Sequence, residues 1–205
     1  MASILIGAAS LPAATAHVRL AQVDGEPLEG AVVSAVPLER RAARPSPEPA
    51  VMDQRDKRFV PHVLPVQVGA EVRFANSDSI SHHVYSFSPA GRFELYLAQG
   101  ETRSVTFDEA GVVALGCNIH DWMLAYVVVL ETPYFTRSDA TGVAALEDLP
   151  PGSYRLAVFH PRIRAEEPGL DHETTIARDA AAEWSVRLTR ALLPSRSQEP
   201  GFAEY

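Results

Sequence analysis

Between Val51 and Glu131 the chain runs as short β-prone segments broken by Gly, Asn, Asp, Ser and Pro, and that rhythm limits the fold more than any other feature. The runs are Phe59 to Val68, Glu71 to Ala75, His82 to Phe87, Phe93 to Leu97, Thr102 to Phe107, Val112 to Leu115 and Met123 to Leu130. No stretch keeps a 3.6-residue period for more than two turns. Short strands at this spacing predict an all-β chain built on a β-sandwich. With 205 residues, 46% of them hydrophobic and 21% charged, the chain is long enough for one large or two small cores.

Two loops in this block concentrate metal-binding chemistry. Gly116-Cys117-Asn118-Ile119-His120-Asp121-Trp122-Met123 holds the one cysteine of the chain and opens into the apolar run Leu124 to Leu130. A thiolate, an imidazole and a thioether are the soft and borderline donors that copper prefers, and a His2Cys set with a long axial Met is that of electron-transfer copper sites. The second imidazole is sought upstream, in Asn76-Ser77-Asp78-Ser79-Ile80-Ser81-His82-His83-Val84-Tyr85. Adjacent strand residues point to opposite faces, so only one of His82 and His83 can reach a shared metal. The plain alternatives are a buried structural cysteine and a methionine that fills core. Zinc is the metallic rival, but it favours several thiolates or carboxylates and rarely a thioether. A lone cysteine also excludes a binuclear copper centre with two bridging thiolates.

Here the chain resembles the cupredoxin family, which includes plastocyanin, pseudoazurin and amicyanin. In that family an Asn-rich loop leads to a first His followed by a Val, and a Cys-x2-His-x2-4-Met loop closes the site. The resemblance implies a Greek-key sandwich and selects His82, Cys117, His120 and Met123 as ligands of one type 1 copper. The strand Phe107 to Cys117 also looks like the family's, with Val113 where an aromatic is usual and Ala125 where a Gly is common. His83 is then an outward-facing residue or a hydrogen-bonder behind the ligands. His62 and His160 lack partners at ligand spacing and read as structural or surface residues.

A second resemblance covers the flanks. Asp139-Ala140-Thr141-Gly142 and Leu149-Pro150-Pro151-Gly152-Ser153-Tyr154-Arg155-Leu156 resemble the carboxypeptidase-regulatory-like (prealbumin-like) sandwich, with its D-x-x-G turn and L-P-P-G-x-Y-x-L strand entry. The first half of that pattern, Asp24 to Val33, lies far upstream, as part of a strand, turn, strand pair from His17 to Pro37. The expected organisation is therefore a sandwich from residues 17–37 and 133–190 into which a copper unit, 51–131, is inserted. Residues 38–50 read as a Pro- and Arg-rich linker, and 191–205 as a loose tail. Proteins of similar two-part build carry the label methylamine-utilisation protein.

The N-terminus, residues 1–16, is short and apolar and ends in Ala14-Thr15-Ala16, a small-x-small pattern that predicts an export signal and a periplasmic location. No segment approaches the ~20 uninterrupted apolar residues of a membrane span. A net charge of -8 argues against nucleic acid and anionic membrane surfaces, which need a basic face. A redox protein partner fits better, docking near His120 with Trp122 on an exposed apolar patch beside Asp121; the plain alternative is a Trp122 folded inward to shield the metal from water. No His-x-His pairs are present to build the extra copper centre of an oxidase or nitrite reductase, so the expectation is an electron carrier without enzymatic turnover. The alternative is a copper delivery, storage or interaction module.

Overall fold

The computed structural model describes residues 14–39, 49–178 and 181–195, and among them there is no helix. In chain order the strands are β1 (Ala14–Ala21), β2 (Val32–Pro37), β3 (Ala50–Arg55), β4 (Arg58–Val60), β5 (Val63–Gln67), β6 (Ala70–Asn76), β7 (His82–Ser88) and β8 (Gly91–Leu97). They continue as β9 (Thr102–Phe107), β10 (Gly111–Cys117), β11 (Leu124–Leu130), β12 (Phe135–Arg137), β13 (Val143–Leu149), β14 (Gly152–Phe159), β15 (Asp171–Ile176) and β16 (Ala181–Arg187).

Alternation of apolar and polar residues assigns these strands to two sandwiches, each with its own core. One packs the sheet β4-β3-β6-β9 against β5-β11-β10-β7-β8, over Met52, Phe59, Phe74, Val84, Leu97, Phe107, Leu115 and Val127. The other packs β13-β1-β16 against β12-β2-β14-β15, over Val18, Leu20, Val33, Leu146, Leu149, Tyr154 and Leu156. The chain thus starts the second sandwich with β1 and β2, builds the first from β3 to β11, and returns to finish the second.

The return is held by specific bonds. Ser138 Oγ donates to the Leu28 carbonyl at 2.7 Å and accepts the Ala31 amide at 3.0 Å, with Ser138 itself buried. Gly142 of the D-x-x-G turn has φ +76°, and a Cβ there would lie 2.4 Å from the Leu20 carbonyl oxygen, so only glycine lets the turn close on β1. Where the sandwiches meet, Val32 of β2 packs with Val63 of β5 and Val128 of β11, and Thr132 Oγ1 donates to the Ala35 carbonyl at 2.7 Å. The strand β11 is consequently apolar on both faces.

Several expectations shift. Ala14-Thr15-Ala16 opens β1, with Ala14 and Ala16 buried in phase with Val18 and Leu20 and paired with β13 and β16. Its small residues serve sheet packing, and a cleavage after Ala16 would remove three paired residues; residues 1–13 lie outside the described residues. The early strands are no hairpin, since β1 and β2 belong to opposite sheets that face each other across one core, and β1 bridges only to the loop before β2, at Ala21–Pro27. Strand β3 occupies Ala50, placed by sequence in the linker, whose residues 40–48 are not described. The run Phe59 to Val68 divides at Pro61, which has no amide for a ladder. The start of the predicted loose tail is tied down: the Leu193 amide donates to the Arg162 carbonyl and Arg162 Nε to the Leu193 carbonyl. Residues 196–205 are not described. Among the described residues no helix is long and apolar enough to cross a membrane.

Candidate metal centre

Strand register brings the two loops together. Antiparallel pairing sets Cys117 of β10 opposite Val84 of β7, so His82, two residues before Val84, is the diagonal neighbour of Cys117 on the same inward face. The Asn118 amide donates to the His83 carbonyl and continues that ladder into the loop. A tight turn follows, closed by the Met123 amide on the His120 carbonyl at 3.0 Å. It turns His120 inward and leaves Ile119 half exposed.

The outcome is a buried cluster. Cys117 Sγ lies 3.8 Å from His82 Nδ1 and 4.0 Å from His120 Nδ1, and one donor atom from each of the three residues falls within 4.8 Å of the others. Exposure is 0% for His82, 3% for Cys117 and 7% for His120. Met123, 1% exposed, belongs to the same core cluster. Ligand bonds of ~2.0–2.3 Å spread around one ion put donors roughly 3.5–4 Å apart, so the triangle has the size a single metal needs. Its chemistry, one thiolate and two imidazoles with a thioether adjoining, fits copper better than zinc.

The far sides of both rings are occupied. His82 Nε2 is 2.7 Å from Asp78 Oδ2, and an ionised carboxylate only accepts, so the ring carries its proton on Nε2 and presents the Nδ1 lone pair to Cys117. Asp78 also accepts the Asp56 amide at 2.6 Å and the Lys57 amide at 2.9 Å. Burial alone would push its carboxyl up. The Lys57 amide, the His82 ring and the Asp56 amide outweigh that and hold it below the usual carboxylate range. His120 is held below the usual imidazole value by burial first, then by the charges of His82 and Lys57, partly offset by Asp78. A neutral ring with a free lone pair is the form a metal requires. Asn76, 2% exposed, locks the upstream loop by donating to the carbonyls of Ile80, Leu97 and Ala98 and accepting the Asp78 amide.

His83 faces away from the cluster: its Nδ1 is 3.2 Å from Asn118 Nδ2 and its Nε2 3.6 Å from a Glu94 carboxylate oxygen. Trp122 departs from the exposed patch predicted for it. It is partly buried, edge-on to His120 at 5.1 Å between ring centroids, with its indole N–H donating to the Lys57 carbonyl at 3.2 Å. An indole N–H that finds an acceptor, together with the apolar area of the ring, draws it inward. His62 and His160 sit at the junction of the sandwiches, His62 Nδ1 2.9 Å from the Leu124 carbonyl oxygen. Asp78 and Lys57 escaped the sequence reading. Asp78 carried a weak signal, four residues before His82 in a turn-forming loop, whereas Lys57 carried none.

No family model and no curated protein matches the chain. Among solved structures it is similar to an oxidised proline-to-alanine variant of amicyanin, with 28% identity over 40% of this chain and 82% of that one and a TM-score of 0.37. It is also similar to a purple cupredoxin from Nitrosopumilus maritimus, with 26% identity over 40% of this chain and 99% of that one and a TM-score of 0.36. A copper-containing nitrite reductase from Thermus scotoductus shares 24% identity over 55% of this chain and 28% of its own, with a TM-score of 0.38. The sandwich β3 to β11 is joined to a second β-sandwich and carries a buried His-Cys-His cluster.

Proposed function

We propose that this protein is an exported, periplasmic electron carrier with one type 1 copper held by His82, Cys117, His120 and Met123. The observation that supports this reading most is the buried triangle of two Nδ1 atoms and one Sγ, 3.8 and 4.0 Å from the sulfur, with nothing but protein behind it. Copper in such a donor set accepts and returns one electron with little rearrangement, because thiolate and thioether suit Cu(I) and imidazole suits both states. The chain's part is to hold the donors still: His82 and Cys117 sit on paired strands, and His120 and Met123 share one hydrogen-bonded turn. Burial of both imidazoles favours a carrier over a delivery module, whose ligands must be reached by an exchanging partner.

The partner in this reading is a redox protein that approaches over the loop 118–123. Its apolar contact is Ile119, 49% exposed, with Trp122 behind it linking to His120, and exposed Asp121 makes a cationic face the better match at low salt. Adding Cu(II) to the purified protein tests the site. Intense visible absorption from thiolate-to-Cu(II) charge transfer, with a reversible potential, is the expected result. A colourless protein that binds only Cu(I) would instead mark a delivery or storage role.

A further inference from the structure

The β3–β4 connection has a backbone that its sequence does not favour. Arg55 pairs with Arg58, so Asp56 and Lys57 form a two-residue hairpin turn, and both have positive φ, 53° and 56°. This geometry is ordinarily given to Asn-Gly or Asp-Gly, because a Cβ is disfavoured in the left-handed region. A lysine stays there only where its surroundings over-determine the turn.

Those surroundings are the two halves of the metal centre. On one side both turn amides donate to the Asp78 carboxylate, whose Oδ2 also takes the His82 Nε2–H. On the other side the Lys57 carbonyl accepts the indole N–H of Trp122, whose ring packs against His120. The Ser77 amide, donating to the Gln54 carbonyl, ties the upstream loop to the same hairpin. Each imidazole therefore reaches one two-residue turn through a single intervening side chain, although Asp78 and Trp122 come from loops more than forty residues apart.

We propose that the Asp56–Lys57 turn is a positioning clamp shared by both imidazoles. Through Asp78 it fixes the His82 ring with Nδ1 toward Cys117, and through Trp122 it fixes the plane of His120. The backbone of the turn does this, not its side chains. One rigid point then sets the separation of two donors that belong to different loops. The inference rests on the copper reading for what the rings are held to do, but the clamp itself is a property of the metal-free protein.

The test begins without metal. Trp122→Phe keeps a ring beside His120 and removes only the indole donor. In the folded variant the amide protons of Asp56 and Lys57, which Trp122 does not touch, should exchange roughly five- to tenfold faster by NMR, as expected for loss of one hydrogen bond. Asp78→Asn should in turn speed exchange of the Trp122 indole proton. With Cu(II), each variant should lose roughly 10–100-fold in affinity and shift its visible band. The double variant should lose little more than the worse single one, since both act through the same turn. Unchanged Asp56 and Lys57 exchange in folded Trp122→Phe, or affinity losses that multiply in the double variant, would overturn the clamp. If Asp78→Asn fails to fold by near-UV circular dichroism, the Trp122→Phe exchange result decides. Failure of every form to bind Cu(II) would sink the copper reading, and the exchange measurement would still decide the clamp.

Discussion

The two sandwiches bury polar side chains to different ends. In the flanking one, buried Ser138, Thr132 and Glu167 bond to backbone: Ser138 to Leu28 and Ala31, Thr132 to Ala35, and Glu167 to the Thr189 amide. Each closes a place where separate parts of the chain meet. In the β3 to β11 sandwich, His82, Cys117 and His120 turn lone-pair donors toward one another at one end of the core, while their outer sides are bonded or covered. Buried polar atoms cost stability unless they are satisfied. Groups satisfied by backbone serve the fold, as Asn76 does in the β3 to β11 sandwich too, whereas a sulfur and two imidazole nitrogens gathered around one point suit a metal ion. The difference separates a structural core from a site although both have the same all-β architecture.

The sharpest way to break the comparison is Cys117→Ser. Serine supplies no soft thiolate, so the visible absorption on adding Cu(II) should vanish, while the far-UV circular dichroism of the apo protein stays that of a β-sandwich; colour retained would remove Cys117 from the site. Met123→Leu should keep copper but raise the reduction potential, because losing even a weak axial donor disfavours Cu(II). An unchanged potential by voltammetry would make Met123 core and nothing more. On the other side, Leu149→Ala cuts a side chain that is 0% exposed in the flanking core and should cost about 2–5 kcal/mol in urea unfolding with no change in the Cu(II) spectrum. A folded Leu149→Ala protein with an altered spectrum would show that the second core reaches into the site.

Sequence carried the parts of this picture that depend on short range. Short β-prone runs of four to eight residues revealed β6, β7, β8, β9, β10 and β11, and the spacing of Cys117, His120 and Met123 revealed their loop, because a turn brings near neighbours together whatever the rest of the chain does. It did not reveal β3, hidden beside a Pro-rich stretch and burying a glutamine, Gln54, in phase with Met52. Nor did it reveal that β1 and β2 lie in opposite sheets, since strand pairing is a non-local choice that local pattern leaves open. Asp78 and Trp122 were visible as residues, but their common partner, the Asp56–Lys57 turn, lies more than twenty positions from either. What was hidden is the support behind the donors, which only the folded register assembles.

The smallest expected effect lies where the sandwiches meet. His160 follows β14, and Arg162, Pro161 and Leu193 join His62, Leu124 and Tyr126 of the other sandwich around a cleft of about 180 Å³. Burial first, then the positive charge of Arg162 and the neighbouring His62, push His160 down to about 4, and its Nδ1 accepts the Arg162 amide at 3.2 Å, a bond that only the neutral ring can make. Burial also lowers His62, against the opposing pull of its bond to the Leu124 carbonyl. Above about 6.5, the ordinary value for an imidazole, the His160 ring is neutral whether the chain is folded or not, and the full stability is present. As pH falls from there toward about 4 the unfolded chain binds a proton that the folded one refuses, so stability declines and then levels off below the folded value. Discounted for the partial exposure of His160, the loss should be about 1–2 kcal/mol. Urea unfolding of the wild type and His160→Gln between pH 7 and 4 isolates this group from the carboxylates and the other histidines. The wild type should lose that much more stability than the variant across the window. Parallel curves would mean that His160 carries no proton-linked stability at the junction.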